Sequence, residues 1–203
     1  MLKQKTKVDK DPIAYFFGYG SLMYPWGING RGMNHFYKWT DLKTAWLTGF
    51  KRGMFARFPS LEWGPLLYYG LLNSPKDKVL GVLLPLFSQY DLAALLQNEH
   101  AHPKQKYRLY TVERVNTKLT GMEIQLPVYA LISPEPPKDG RITQDYVEHV
   151  WIGAGFWGEQ FMQDFVKTGG VSPRWVQDNQ PKPRYISKLE EILKEKYARG
   201  SNK

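Results

Sequence analysis

The sequence predicts one α+β domain, built on a small, curved mixed sheet or barrel of about six strands with flanking helices. Short apolar or alternating segments suited to strands occupy much of the chain before residue 132, and two amphipathic helical segments follow them. A run of strands followed by helices is typical of α+β domains. The 203 residues are 42 % hydrophobic and 15 % aromatic, which is enough for one large core.

The predicted sheet begins with a buried strand and a tight turn. Residues 13–17 form a short aromatic run that Gly18 and Gly20 close, which predicts a strand entering a sharp turn. Residues 24–41 are rich in glycine and aromatic side chains and predict a loop. The other segments that predict strands are residues 45–58, 66–72, 79–86, 107–115 and 124–132.

Two sequence features predict where these strands end or become irregular. The Asn-Ser-Pro-Lys-Asp run at 73–77 predicts a turn between two of them. Pro85 has no main-chain N–H, so the strand at 79–86 is predicted to lie at an edge or to contain a bulge.

A helix is predicted to begin after Ser88, because serine is a favoured N-cap and Asp91 follows near the positive end of the helix dipole. Leu92, Leu95 and Glu99 recur at the spacing of one helix face, so Glu99 extends an otherwise apolar stripe.

Two later helices complete the domain. The segment 143–154 carries an apolar stripe that includes Tyr146, and we interpret its aromatic side chains as core. A second, shorter helix is predicted to end at Gly169.

The chain is predicted to have three parts. Residues 1–12 form a mobile basic arm, residues 13–170 form the folded domain, and residues 171–203 form a basic C-terminal extension. Ser187 and Glu190 make a capping box, which predicts a terminal helix in that extension.

The formal net charge of +9 lies mainly on the two ends, with +2 on residues 1–11 and +5 on residues 167–203. Basic ends can bind nucleic acid by counterion release, but no zinc-finger, RRM or KH signature accompanies them. We therefore expect no nucleic-acid partner, and a basic-tail scaffold or nucleic-acid role stays as an alternative. The chain has neither a membrane-spanning apolar stretch nor a secretory signal, so a soluble cytoplasmic protein without membrane partners is expected.

Several catalytic and cofactor-binding sites are excluded by residue type and spacing. The chain has no cysteine, so it has no disulfide, thiolate zinc site or cysteine nucleophile. His100 and His102 lack the spacing of helical metal ligands, and we expect no metal site. The dinucleotide motif fails because Met23 replaces its third glycine and because Pro25 argues against a following helix. Ser21 is not in a nucleophile-elbow motif.

The first candidate site is the glycine turn, which comprises Gly18, Tyr19, Gly20, Ser21 and Leu22. Two glycines at the end of a buried strand allow successive main-chain N–H groups to point into one concavity. Such a nest binds anions, including carboxylates. A plain tight turn is the alternative interpretation.

The second candidate is Glu99. A carboxylate at the end of an apolar stripe is partly desolvated, and desolvation raises a carboxyl pKa towards neutrality, where a general base works best. The alternative is an ordinary solvent-facing residue at the helix C-terminus, although the dipole disfavours an acidic side chain there.

The ordered set of motifs resembles the gamma-glutamylcyclotransferase-like family over residues 13–166. The family's YGS-L turn corresponds to residues 17–22, its L-x-G-aromatic-basic-basic stretch to residues 47–55, and its V-x-G-V-L strand to residues 79–83. Its helix end with glutamate corresponds to residues 95–99, and its tyrosine with a basic strand to residues 107–108 and 112–115. Its strand tyrosine corresponds to Tyr129, and its I-x-G-A element to residues 151–155. Leu96 and His100 depart from the family pattern, which has Asp and Gly there.

The resemblance implies a small α+β barrel and an enzyme that closes a ring. The α-amine of a gamma-glutamyl amide or amino acid attacks its own γ-carbonyl, which gives 5-oxoproline and a free amine or amino acid. The family's general acid/base maps onto Glu99, its carboxylate-binding turn onto residues 18–22, and its strand tyrosine onto Tyr129. The reaction needs no metal or organic cofactor.

Three points stay open at this stage. A catalytically silent protein of the same fold, which binds a small carboxylate without turnover, is an alternative because of Leu96 and His100. The sequence does not choose among glutathione, gamma-glutamyl amino acids and gamma-glutamylamines, and it does not fix the oligomeric state.

Overall fold

The computed structural model describes residues 11–60, 64–101, 109–135, 137 and 139–169. The strands are β1 (Ala14–Gly18), β2 (Lys43–Ser60), β3 (Gly64–Leu86), β4 (Thr111–Arg114), β5 (Leu119–Thr120) and β6 (Val128–Ile132). The helices are α1 (Pro25–Asn29), α2 (Gln89–Asn98), α3 (Gln144–Gly155) and α4 (Glu159–Lys167), with short 3-10 turns at Ser21–Met23, Trp39–Asp41 and Asn116–Lys118.

The six strands form one mixed sheet in the order β4-β6-β1-β3-β2-β5. β1 runs parallel to β6 and antiparallel to β3, and the remaining neighbours are antiparallel. The sheet curls into a half-barrel with helices beside it. The predicted α+β class and strand number are therefore confirmed.

The core lies along β1 and β3, the two central strands. Phe16 and Phe17 of β1 are fully buried, as is Leu84 of β3. Helix α4 packs on β3, where the ring of Phe165 meets Tyr69 edge-on at a centroid distance of 5.9 Å. Helix α3 packs against α4 and against the 3-10 turn that follows β1. This packing brings the end of β1 close to α3.

The turn predicted at 73–77 lies inside β3 instead. Thr48 of β2 pairs with Lys78 of β3, and Phe50 pairs with Asn73. One residue of β2 and four residues of β3 therefore lie between these two pairs. The extra residues of β3 form a bulge in one continuous strand, so the prediction of a turn between two strands is wrong. Proline and polar residues indicated the local irregularity, but the pairing with β2 decides the topology.

Pro85 lies in a central strand, which corrects the predicted edge position. β3 pairs with β2 only as far as Leu83, opposite Lys43, so the missing N–H of Pro85 removes no bond to β2. On the other side, Pro85 stands opposite Tyr15 of β1. Its carbonyl accepts a hydrogen bond of 2.8 Å from the hydroxyl of Tyr37.

The predicted helix start at Ser88 is confirmed, since its hydroxyl accepts the main-chain N–H of Asp91 at 3.1 Å. Asp91 is itself buried, and it accepts the main-chain N–H of Asn34 at 2.8 Å. This bond fixes the long segment 24–41 to α2.

The segment 24–41 is not a loop throughout, because it contains α1. Pro25 occupies the first turn of this helix, a position where proline is favoured because its missing N–H would have no intrahelical partner. The expectation that Pro25 opposes a helix is therefore wrong. The predicted helices over 143–154 and before Gly169 are confirmed as α3 and α4, and Gly169 has a φ of 99°.

Parts of the sequence prediction lie outside the described residues: residues 1–10 of the basic arm, the C-terminal extension 171–203, His102, and Tyr107 with Arg108 of the family motifs. The three-part division of the chain stays a prediction. Within the described part, no helix is both long and apolar enough to cross a membrane.

Candidate active site

A cavity of about 340 Å³ lies between the glycine turn, the segment after α1, the end of α2 and the start of α3. We call it the main cavity. Ser21, Arg31, Glu99 and Tyr146 each contribute to its wall. Elements that are far apart in the sequence therefore meet around one space.

A smaller hollow of about 20 Å³ lies under the glycine turn, and all five residues of the turn line it. The two spaces adjoin, because they share Ser21, Glu99, Tyr110 and Tyr146 as lining residues. The glycine turn and Glu99 therefore border the same pair of adjoining spaces.

The glycine turn is compact because its main chain folds back on itself. A Cβ at Gly18 would lie 2.6 Å from the carbonyl oxygen of Leu22, so a side chain does not fit there. The N–H of Met23 closes the following 3-10 turn on the carbonyl of Gly20 at 3.1 Å. The N–H groups of Gly20, Ser21 and Leu22 donate to no other residue in the described part of the chain.

The side chain of Tyr19 anchors the turn rather than lining the main cavity. Its hydroxyl donates to the carbonyl of Leu131 in β6 at 2.7 Å, and the residue is buried. Burial raises the pKa of Tyr19 well above its ordinary value, so the hydroxyl stays a donor at neutral pH.

Glu99 directly follows α2 and turns its carboxylate into the cavity wall. Its side chain is 14 % exposed. The Nε of Arg31 donates to Oε1 of Glu99 at 2.5 Å, and Nη2 of the same guanidinium donates to the Ser21 hydroxyl at 3.0 Å. One planar guanidinium therefore connects the predicted acid/base residue to the glycine turn.

Arg31 was missed by the sequence analysis, which placed it in an undifferentiated loop. Two features of the structure position Arg31. Helix α1 ends two residues before it, and the Asn98 side chain donates to the Arg31 carbonyl at 2.7 Å. A single arginine between Gly30 and Gly32 was the available signal, but its pairing with Glu99 depends on tertiary contacts.

Two tyrosines line the cavity and bind the main chain of Tyr69 in opposite ways. The Tyr110 hydroxyl donates to the Tyr69 carbonyl at 2.8 Å, so its proton is already engaged. The Tyr146 hydroxyl accepts the Tyr69 N–H at 3.1 Å and has no described acceptor for its own proton. Tyr146 can therefore donate a hydrogen bond into the cavity, which the interpretation of its helix stripe as core did not anticipate.

The position and protonation of Tyr146 suit that role. A Cβ built on Gly20 would lie 3.3 Å from the Tyr146 hydroxyl, so the hydroxyl sits against the glycine turn. Burial raises the pKa of Tyr146, and the negative charge of Glu99 adds to this effect. The phenol is therefore protonated at neutral pH.

His149 of α3 also lines the main cavity, and it is neutral at pH 7. Burial and then the charge of Arg31 lower its pKa from 6.5 to about 4. Its Nε2 forms a short hydrogen bond with the hydroxyl of Tyr24.

Tyr129 does not line either space. It is a partly buried residue of β6, opposite Phe16 of β1 and Arg114 of β4. Among the described tyrosines, the structure brings Tyr68, Tyr110 and Tyr146 to the main cavity.

Comparison with solved structures identifies the fold. The chain is similar to a gamma-glutamyl cyclotransferase at 16 % identity and a TM-score of 0.64, over 88 % of this chain and 98 % of that one. It is also similar to YkqA from Bacillus subtilis at 18 % identity and a TM-score of 0.55, over 78 % of this chain and 54 % of that one. No family model matches the sequence, and no curated protein does. The chain therefore has the fold of gamma-glutamyl cyclotransferases, as the order of its motifs implied.

Proposed function

We propose that this protein cyclises a gamma-glutamyl amide or amino acid to 5-oxoproline and releases the free amine or amino acid. The observation that carries the proposal is the shared space between the Glu99 carboxylate and the glycine turn. The gamma-glutamyl cyclotransferase fold supports the same reaction class.

In this proposal the glycine turn holds the α-carboxylate of the substrate. The N–H groups of Gly20, Ser21 and Leu22 are the donors, and the glycines allow close approach of an anion. Fixing this end folds the glutamyl chain so that its amine reaches its own γ-carbonyl. Correct orientation of an intramolecular attack can lower a barrier by about 7–11 kcal/mol.

Glu99 is the proposed general acid/base. Its carboxylate takes a proton from the α-ammonium, and the resulting amine attacks the γ-carbonyl carbon. Glu99 then returns the proton to the leaving nitrogen while the amide C–N bond breaks. The α-nitrogen loses two protons in total, and both end on the released amine, which leaves as an ammonium ion.

Tyr146 is the proposed donor to the oxyanion that develops on the γ-carbonyl oxygen. Its hydroxyl lies against Gly20 and has its proton available, whereas the Tyr110 proton is engaged. A donor already fixed by the Tyr69 N–H needs little reorganisation as the charge develops. The family resemblance assigns a tyrosine role to Tyr129, but Tyr146 has the better position.

The test is a panel of gamma-glutamyl amides and amino acids, including glutathione, assayed for equimolar 5-oxoproline and amine. We expect turnover of at least one compound, and a loss of about 100-fold or more in kcat for Glu99→Gln with an unchanged unfolding curve. Glu123→Gln, at an exposed position, is the matched control and keeps wild-type kcat. Full turnover by Glu99→Gln excludes Glu99 as the acid/base.

The Arg31–Glu99 ion pair favours a second candidate, a protein that binds a small carboxylate without turnover, because the pair engages one oxygen of the acid/base. Calorimetry with 5-oxoproline and with the same panel separates the two. Binding without any release of amine supports the silent protein, and release of amine excludes it.

A further inference from the structure

In the described part of the main cavity wall, the permanent charges do not balance. In the described part of its wall they are Arg31, Glu99 and Asp145. Arg31 and Glu99 neutralise each other at 2.5 Å, and His149 is neutral because its pKa is about 4. Among the permanently charged side chains of the described wall, Asp145 therefore leaves one uncompensated negative charge.

The Asp145 carboxylate is incompletely paired within the described part of the protein. One carboxylate oxygen is enclosed by protein and has no hydrogen-bond partner among the described residues. Asp145 forms no ion pair with them either, and its negative charge reaches Tyr68, whose pKa is raised by burial and then by Asp145. A partly buried carboxylate without a partner favours a cation that can reach it.

Glu99 and Asp145 differ in which of the two spaces they line. Glu99 lines both the main cavity and the small hollow under the glycine turn, whereas Asp145 lines only the main cavity. The charge of Glu99 affects the buried Tyr19, Tyr110 and Tyr146, and that of Asp145 affects Tyr68. A glutamyl head held by the glycine turn and Glu99 therefore leaves its amide substituent for the main cavity, whose wall includes Asp145.

We propose that Asp145 selects substrates whose leaving amine carries a second, positively charged group, such as the amide of a diamine. The inference rests on the proposed function, because it places the glutamyl head at the glycine turn. An ammonium group near Asp145 gains a charge-assisted interaction, and a terminal carboxylate is repelled. Apolar surface from Phe58 and Leu109 in the same wall suits the methylene chain between the two nitrogens.

The test compares three gamma-glutamyl amides of similar length, made from 1,4-diaminobutane, pentylamine and 4-aminobutyrate. They differ chiefly in a terminal ammonium, methyl or carboxylate group. For the wild-type protein we expect kcat/KM to fall in that order, with the ammonium compound about ten-fold or more above the methyl compound. This ranking needs no variant, so it does not depend on the folding of one.

Asp145→Asn then removes the charge at nearly constant shape. We expect the ratio of kcat/KM between the diamine amide and the pentylamide to fall to within about two-fold of one. Asp139→Asn removes an exposed aspartate that pairs with Arg57, and it keeps the wild-type ratio. This control separates a local effect from a change in net charge.

The outcomes distinguish the two proposals. Equal kcat/KM for the three amides, or a preference for the carboxylate, overturns the role of Asp145 while the proposed function stands. An equal loss for all three amides in Asp145→Asn also overturns it, because Asp145 would then act on the shared glutamyl head. If none of the amides yields 5-oxoproline, the proposed function fails and the inference fails with it.

Discussion

At the scale of single residues, Arg31 orients Glu99, the proposed acid/base residue. The two donors of one guanidinium hold Glu99 and Ser21, at 2.5 and 3.0 Å. A carboxylate on a flexible glutamate side chain would otherwise sample several rotamers. The ion pair therefore links the position of the proposed proton acceptor to the position of the glycine turn.

Replacement of Arg31 tests this arrangement. We expect Arg31→Gln to lower kcat by about ten-fold or more, because Glu99 loses its charged partner and its orientation. Arg31→Lys keeps the charge but not the planar fork, so it restores only part of kcat. Steady-state kinetics beside thermal unfolding measures both effects. Wild-type or higher kcat in Arg31→Gln, at unchanged stability, contradicts a positioning role.

His149 makes stability depend on pH. Its pKa is 6.5 in the unfolded chain and about 4 in the folded protein, so between these values the unfolded chain binds more protons. The His149 contribution therefore destabilises the fold as pH falls below 6.5. From pH 7 to pH 5 we expect this contribution to be roughly 2 kcal/mol.

Urea unfolding of wild type and His149→Gln at pH 7 and pH 5 measures that contribution. The variant lacks the titrating imidazole, so it should lose less stability than wild type on acidification. An identical loss in both proteins shows that His149 does not titrate differently in the folded state.

At the scale of elements, a bulge in the β2–β3 pair supplies bonds to two cavity tyrosines. Gly53 of β2 pairs with Gly70 of β3, and Ala56 pairs with Tyr68. The two residues of β2 between these pairs therefore lie opposite a single residue of β3, Tyr69. The N–H of Tyr69 binds the Tyr146 hydroxyl, and its carbonyl binds the Tyr110 hydroxyl. The bulge thereby connects the sheet to the cavity wall.

The two glycines of the turn are expected to respond differently to alanine. Gly18→Ala places a Cβ 2.6 Å from the Leu22 carbonyl oxygen, so we expect a loss of about 2 kcal/mol in stability. Gly20→Ala meets the Tyr146 hydroxyl at 3.3 Å and the Tyr69 Cβ at 3.4 Å, which are tight but adjustable contacts.

For Gly20→Ala, the main effect is therefore on the site: a raised KM and a lowered kcat with little change in unfolding free energy. Denaturant unfolding and kinetics on the same preparations separate the two positions. If Gly20→Ala binds and turns over substrate like wild type, the main chain of the turn does not form the carboxylate site.

At the scale of the whole molecule, buried Arg52 joins the sheet to the last helix and to the turn. From β2 it donates to the carbonyls of Leu80 in β3 and Phe165 in α4, and more weakly to that of Tyr19. Its guanidinium also stacks 3.6 Å from the centroid of the Phe165 ring. These contacts fix α4 against the strands.

We expect Arg52→Lys to destabilise the fold by about 3 kcal/mol, because an ammonium group cannot reach these carbonyls together or stack on the ring. Urea unfolding provides the measurement, and Lys51→Arg, at the exposed neighbouring position, is the control. A change below about 0.5 kcal/mol would show that Arg52 does not hold α4 to the sheet.

The parts of the fold that were predictable from sequence carry local signals. Ser88 as an N-cap, the aromatic strand before Gly18 and the stripe of α3 depend on a few adjacent residues. The continuous course of β3 through 73–77 depends on pairing with β2, and the ion pair of Glu99 with Arg31 joins residues 68 positions apart. Such contacts follow from the assembled chain and not from any local pattern.

The central claim is that one bound substrate touches both the glycine turn and Glu99. A crystal structure of Glu99→Gln with a gamma-glutamyl amide tests it most directly. We expect the α-carboxylate within hydrogen-bond distance of the Gly20 and Ser21 N–H groups, and the α-nitrogen beside the side chain of residue 99. A substrate bound with its α-carboxylate away from the turn, or its α-nitrogen away from residue 99, contradicts the account.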